Sequence, residues 1–374
     1  MFKSRLLLVF VLVLTLGVFL AACGSSDGEE DTSGDSGDSG GNEETSEDSG
    51  DGDFSVAMVT DVGGVDDKSF NQSAWEGLQA FGEENGMSKG EGFDYAQSES
   101  DADYTTNLNR LVRQDYNLIF GIGFLLEPAI TEVAGQYPDT NFAIVDSVAE
   151  GDNVASITFK EHQGSFLAGV AAAKKTNTNK IGFLGGVDSD LINKFEAGFI
   201  AGVKSVNADI DVTVEYAESF AAADKGKLIA ADMYSQDIDV IYHASGATGN
   251  GVFAEAKDIK NSNPDQDVWV IGVDRDQHEE GQIGDTNVTL TSMVKRVDIA
   301  VQDVTQQAKD GEFPGGEVVE YGLGDDAISI ARTNEEAMTE EIVSSVEEWK
   351  EKIINGDVEV PSTREDLETY LGSL

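Results

Sequence analysis

Two four-residue echoes constrain this chain more than any other feature. Gly63-Gly64-Val65-Asp66 follows a β-branched run and precedes an amphipathic stretch containing Phe70, Trp75, Gly77 and Leu78. Gly185-Gly186-Val187-Asp188 repeats the pattern ahead of Phe195, Gly198 and Gly202. Each half of the chain thus opens with strand, glycine turn, acidic residue and helix. Two similar α/β lobes facing each other place both turns at the carboxyl ends of their sheets, where open α/β sheets bind ligands. A cleft between the lobes is the expected site.

The flanking pattern agrees. Strands are predicted at Val56 to Thr60, Leu118 to Gly123, Phe142 to Asp146, Ile181 to Gly185, Val212 to Tyr216, Val240 to His243 and Val268 to Val273. Helices are predicted at Ser69 to Glu84, Tyr104 to Gln114, Pro128 to Gln136, Gln163 to Lys174, Leu191 to Val206, Lys225 to Tyr234, Gly251 to Lys260 and Asn334 to Ile354. Short buried strands alternating with amphipathic helices are the signature of βαβ units and a largely parallel sheet. The expected architecture is two Rossmann-like α/β lobes with parallel-rich sheets. The first takes approximately residues 54–160 plus 275–298, and the second 161–274 plus 299–374.

The residues before Phe54 carry an address. Lys3 and Arg5 precede an apolar run from Leu6 to Phe19 that is short for a membrane span, and Leu20-Ala21-Ala22-Cys23 closes it. This is the pattern of an exported precursor with a leader over residues 1–22, and its last four residues resemble a bacterial lipobox. That resemblance implies a lipid on Cys23, the chain's single cysteine; the alternative is an ordinary signal peptide with Cys23 removed or left as a free thiol. With one cysteine no intrachain disulfide forms, so stability must come from a core.

Charge excludes some partners. The chain holds 71 acidic and 24 basic residues, a net charge of −47. Residues 24–53 contain 12 acids, no base and otherwise only Gly, Ser, Thr and Asn, so a disordered acidic linker reaching roughly 30 Å is expected over residues 23–53. From Phe54 onward 59 acids face 22 bases. A surface of that sign repels nucleic acid and disfavours docking on anionic lipid, so membrane attachment falls to Cys23.

Enzyme signatures fail one by one. Gly37-Asp38-Ser39-Gly40-Gly41 spells a serine-hydrolase string inside the polar linker, with no strand or helix to hold a nucleophile. Gly121-Ile122-Gly123 lacks the third glycine of a dinucleotide fingerprint, since Leu126 stands there. The histidines His162, His243 and His278 have no metal-ligand spacing. The acidic pairs Asp66-Asp67 and Asp274/Asp276 read as solvated faces in so acidic a chain. No enzyme, cofactor or metal is implied.

The informative segment is Thr60 to Gln72, which leaves a buried strand, turns on glycines and enters a helix capped by Asp67 or Ser69. Phe70, in the first helical turn, can stack on a flat ring whose edge Asp61 and Asn71 read. Equally, it can serve as a hydrophobic staple beside a capping Asn71.

That segment, with Gly121-Ile122-Gly123-Phe124, the run from His243 to Phe253, Ile271-Gly272-Val273-Asp274 and the run from Leu290 to Asp298, resembles the basic membrane protein family. The resemblance runs colinearly from about Phe54 to the terminal helix. It implies a type I periplasmic-binding-protein architecture and a lipid-anchored monomer on the extracytoplasmic face of the cell membrane. It implies capture of a purine nucleoside for the permease of an ABC importer. By position, Phe70 is expected to stack on the base while Asp61 and Asn71 bond its edge. Asp146 is expected at the cleft, Asp274 and Lys295 on the ribose, and Gly246 and Gly249 at a close backbone approach. The second stacking ring falls near His243, with Phe195 and Phe220 as competitors. The alternatives are a sugar or signal-molecule receptor, a nucleoside hydrolase and an interaction lipoprotein with a vestigial cleft.

Overall fold

The computed structural model describes residues 54–374; the leader, Cys23 and the acidic linker lie outside them. From the amino end, β1 (Val56–Val59), α1 (Phe70–Glu84), β2 (Phe93–Ala96), α2 (Tyr104–Val112), β3 (Leu118–Ile122), α3 (Glu127–Gln136), β4 (Asn141–Val145) and β5 (Val154–Phe159) alternate. The alternation resumes with α4 (Glu161–Lys175), β6 (Lys180–Gly185), α5 (Asp190–Val206), β7 (Asp211–Tyr216), α6 (Ala223–Ser235) and β8 (Val240–Ala244). It continues through α7 (Asn250–Ser262), β9 (Trp269–Asp274), a small hairpin of β10 (Gln282–Ile283) and β11 (Thr286–Asn287), and β12 (Thr289–Lys295). The carboxyl end supplies α8 (Val297–Lys309), β13 (Val318–Tyr321), β14 (Ile328–Ile330), α9 (Glu340–Ile354) and α10 (Arg364–Leu371).

These strands make two six-stranded sheets, ordered β13-β5-β4-β3-β1-β2 and β14-β12-β9-β8-β6-β7. The first is parallel throughout; in the second only β14 runs antiparallel to its neighbour. The orders correspond element for element, β1 with β6 and β4 with β9, so the sequence echo marks equivalent places in two α/β lobes. Burial explains the strand composition. Val56, Ala57, Met58 and Val59 are wholly buried, as expected where helices cover both faces of a parallel sheet. Leu108 and Ile130 cover the first sheet, and Met233 and Phe253 the second.

The expected lobe boundaries need correction. β12 pairs in parallel with β9 from Thr289 to Val294, so residues 289–295 belong to the second sheet and not to the first lobe. β13 pairs with β5, which returns residues 318–321 to the first sheet. α8 also joins the first lobe: a Cβ on Gly77 of α1 would meet the Asp298 carbonyl at 2.4 Å, so the bare glycine permits that close packing. The chain therefore crosses between lobes three times, near Lys160, near Arg296 and between Tyr321 and Ile328. The long helix expected from Asn334 is α9, which starts at Glu340, six residues later than expected, where the Thr339 hydroxyl accepts the Ile342 N–H, and it is α10 that ends the chain.

Candidate functional site

The glycine turn after β1 is held by carboxylates. Asp67 accepts the N–H groups of Ser69 at 2.8 Å, Asn71 at 2.8 Å and Gln72 at 3.1 Å, so it takes the orphan donors at the start of α1. That frees the Ser69 hydroxyl, which crosses to the second lobe and donates to Asp274 Oδ2 at 2.5 Å. Asp61 Oδ1 accepts Gly63 N–H at 2.8 Å and Asn71 Nδ2 at 2.7 Å. The Asn71 amide is consumed in return: Oδ1 accepts the Asp61 N–H at 3.2 Å, and Nδ2 also donates to Asp67 Oδ2 at 3.0 Å. Among the described residues Asp61 Oδ2 accepts no hydrogen bond.

Burial dominates the chemistry of Asp61. Desolvation raises its pKa to about 7, opposed by the bonds from Gly63 and Asn71 and reinforced by the charges of Asp67 and Asp274. A group of this kind changes charge near neutrality.

Strand ends of both lobes deliver the remaining polar groups. Asp146 follows β4 and Asp274 ends β9, equivalent positions in the two sheets, and both take left-handed backbone angles, φ 65° and 66°. A non-glycine residue held there costs on the order of 1 kcal/mol and belongs disproportionately to functional sites. Lys295, the last residue of β12, is 1% exposed and lies between them: its Nζ is 2.5 Å from Asp146 Oδ2 and 3.6 Å from Asp274 Oδ1. Burial opposes the ammonium charge, but Asp146, Asp274 and Glu161 outweigh it and hold the Lys295 pKa above its ordinary value. Desolvation lifts Asp274 to about 6 against the pull of Lys295 and Ser69. Glu161, fully buried at the start of α4, is lifted to about 7 by burial and by Asp146, against Lys295 and Lys194. Asp146 Oδ1 is buried without a hydrogen-bond partner among the described residues.

Between these poles lies a cavity lined by groups from both lobes. Of the nine residues expected at the ligand, seven line it: Asp61, Phe70, Asn71, Asp146, Gly246, Asp274 and Lys295. The Phe70 ring stands between the two polar poles. Its centroid is 4.7 Å from Lys295 Nζ, and a Cβ on Gly123 would lie 3.4 Å from its Cε1 and 3.5 Å from Asp61 Oδ2.

His243 and Gly249 are placed elsewhere. The His243 ring is wholly buried off the cavity, edge-on to Phe253 of α7, with Nε2 3.0 Å from Gln277 Oε1; burial lowers its pKa to about 4. Gly249 makes room for that ring, since a Cβ there would stand 2.1 Å from it. The other aromatic walls are Phe195, Phe220 and Phe124, and the last two meet edge to face at 6.1 Å across the lobes. Sequence reasoning weighed Phe195 and Phe220 but gave Phe124 no role, although its place after a strand-ending Gly-Ile-Gly was a usable signal. Ser69, Asp67 and Glu161 were also missed as members of this site.

The profile of the family described as "ABC transporter substrate-binding protein PnrA-like" matches residues 54–364. The chain is 52% identical over 366 residues to the "CD4+ T-cell-stimulating antigen" of Listeria innocua, covering 96% of this chain and 99% of that protein. It is 46% identical over 367 residues to the "ABC transporter nucleoside-binding protein BmpA" of Lactococcus lactis, covering 96% and 99%. Among solved structures, an ABC transporter solute-binding protein from Aeropyrum pernix superposes with a TM-score of 0.72 at 27% identity, covering 84% of this chain and 96% of that one. The chain therefore belongs to the PnrA-like family of ABC transporter substrate-binding proteins, which are solute-binding proteins and not enzymes.

Proposed function

We propose that this protein captures a purine nucleoside between its lobes and delivers it to the permease of an ABC importer. The observation that carries the reading is the position of the Phe70 ring between two unlike polar poles. An apolar ring face suits a base. Asp61 Oδ2, open at one pole, suits the N–H edge of that base, and at the other pole Asp274, Asp146 and Lys295 suit vicinal sugar hydroxyls. The nucleoside-binding name of the Lactococcus lactis relative supports the same class. Closing the lobes removes water from these groups and strengthens their hydrogen bonds.

The direct test is mass spectrometry of small molecules released from the denatured purified protein, followed by calorimetric titration with guanosine, inosine, adenosine, cytidine and ribose. Purine nucleosides bind and ribose alone does not; ribose binding as tightly as inosine defeats the base-stacking reading in favour of a sugar receptor. Inosine recovered intact after long incubation excludes hydrolysis.

We further propose that the protein works as a monomer on the extracytoplasmic face of the cell membrane, held by lipid on Cys23. Cys23→Ser then releases it from membranes without altering nucleoside affinity, and sedimentation velocity gives one protomer. Retention of the serine variant on washed membranes defeats the anchor.

A further inference from the structure

Beyond the cluster at Lys295 and Asp274, the polar side-chain contacts between lobes gather along one edge of the cleft. Arg275 grips Glu76 of α1 with two hydrogen bonds, Nε to Oε2 at 3.0 Å and Nη2 to Oε1 at 2.8 Å. Gln277 Nε2 donates to the backbone carbonyl of Lys68 at 2.9 Å, and Asn250 Nδ2 donates to that of Asp67 at 3.1 Å. None of these four side chains lines the cavity.

Gln277 is built for that reach. Its Oε1 accepts the Val273 N–H at 2.9 Å, which fixes the amide so that only the NH₂ end faces the first lobe. His243 Nε2 lies 3.0 Å from the same oxygen; an amide oxygen only accepts, so the neutral imidazole carries its proton on Nε2. Two glycines clear the space. A Cβ on Gly249 would collide with the His243 ring, and one on Gly272 would lie 2.5 Å from Gln277 Oε1. Lys68 offers its carbonyl from a left-handed backbone, φ 64°. A buried histidine, two glycines and one strained residue thus converge on a single amide that touches the other lobe and not the ligand.

We propose that Arg275 and Gln277 form an interlobe latch that sets the balance of open and closed forms, and with it ligand affinity and release, without reading the ligand. The proposal rests on a nucleoside being bound between the lobes. A contact made only in the closed form multiplies the closed population, and every ligand of that form gains by the same factor. A partly exposed bidentate ion pair and one amide–carbonyl bond support roughly fivefold to tenfold effects, not thousandfold ones.

The probes are inosine and guanosine. Arg275→Ala and Gln277→Ala each weaken both nucleosides by the same factor, about fivefold, through faster dissociation, and the ratio of the two affinities stays at the wild-type value. The charge-swapped Glu76→Arg/Arg275→Glu protein recovers affinity relative to Arg275→Ala. Three results overturn the latch: unchanged dissociation in the Arg275→Ala/Gln277→Ala protein, a loss that differs between the nucleosides, or a swap no better than Arg275→Ala. Should the wild type bind neither nucleoside, the binding reading falls by that result alone. Small-angle scattering of the ligand-free proteins then judges the latch: a larger radius of gyration in the double variant upholds it, and an equal one overturns it.

Discussion

Lys295 and Asp146 form an ion pair 2.5 Å long that joins the end of β12 in one sheet to the end of β4 in the other. Both side chains are almost wholly buried, and Asp274 and Glu161 crowd the same ammonium. Removing one partner of such a cluster costs more than the pair contributes, because the remaining charges stay desolvated. Lys295→Met is expected to lower stability by about 3–5 kcal/mol at pH 8. The loss shrinks toward pH 5, because the pKa values of Asp274 and Glu161, already raised to about 6 and 7, let both carboxyls take protons there. Urea midpoints at the two pH values check this; an equal loss at both contradicts it.

Asp61 gives nucleoside binding its own pH dependence. Its folded pKa of about 7 lies above the ordinary 3.8, so in the ligand-free protein its ionisation costs stability as pH rises from about 4 to 7. A base N–H bonds the ionised carboxylate more strongly than the protonated acid, so binding expels a proton below pH 7. Affinity for inosine is expected to climb from pH 5.5 to 7.5 and to level off above about 8. Titrations in buffers of different ionisation enthalpy should detect the released proton at pH 6.5 and none at pH 8.5. Asp61→Asn should bind weakly and with a shallower slope, leaving only the part due to Asp274, which is raised to about 6 in the same cavity.

On the proposed reading the base stacks on Phe70, so Phe70→Ala should weaken purine nucleosides by about 5- to 150-fold, the worth of one stacked base at roughly 1–3 kcal/mol. Phe70 is only partly buried, and thermal unfolding of the ligand-free variant should move little. Phe124 and Phe220 touch across the lobes, so their alanine variants should couple. A calorimetric cycle of the two single variants and the double variant checks this, and strict additivity of their losses assigns the rings independent roles.

How much of this was legible in the sequence depended on whether the signal was local. β1, β3, β4, β6, β8 and β9 announce themselves as short apolar runs. β5 does not, because Ser156 and Thr158 interrupt it, and β13 alternates exposed and half-buried residues at a sheet edge. α8 was hidden because Met293 to Asp298 passes from β12 into the helix with no glycine or proline between. Asp61 and Phe70 were readable from the glycine turn that positions them. The Lys295–Asp146 pair was not, since 149 residues separate partners on different sheets. His243 failed on a finer point. Alternation along β8 turns Ala244 toward the cavity and His243 toward α7, and strand-end position alone does not tell one face from the other.

Gly249 tests that last distinction. Were it a close-approach site for ligand, an added methyl would act first on affinity; its Cβ instead points into the buried His243 ring at 2.1 Å, where neither helix start nor imidazole has room to yield. Gly249→Ala is therefore expected to cost about 1–3 kcal/mol of stability by overpacking. The displaced ring no longer holds Gln277 toward Lys68, so any affinity lost should appear as faster dissociation, equal for inosine and guanosine. Urea unfolding and stopped-flow release measure the two effects separately. Wild-type stability with a loss confined to one nucleoside would return Gly249 to the ligand wall.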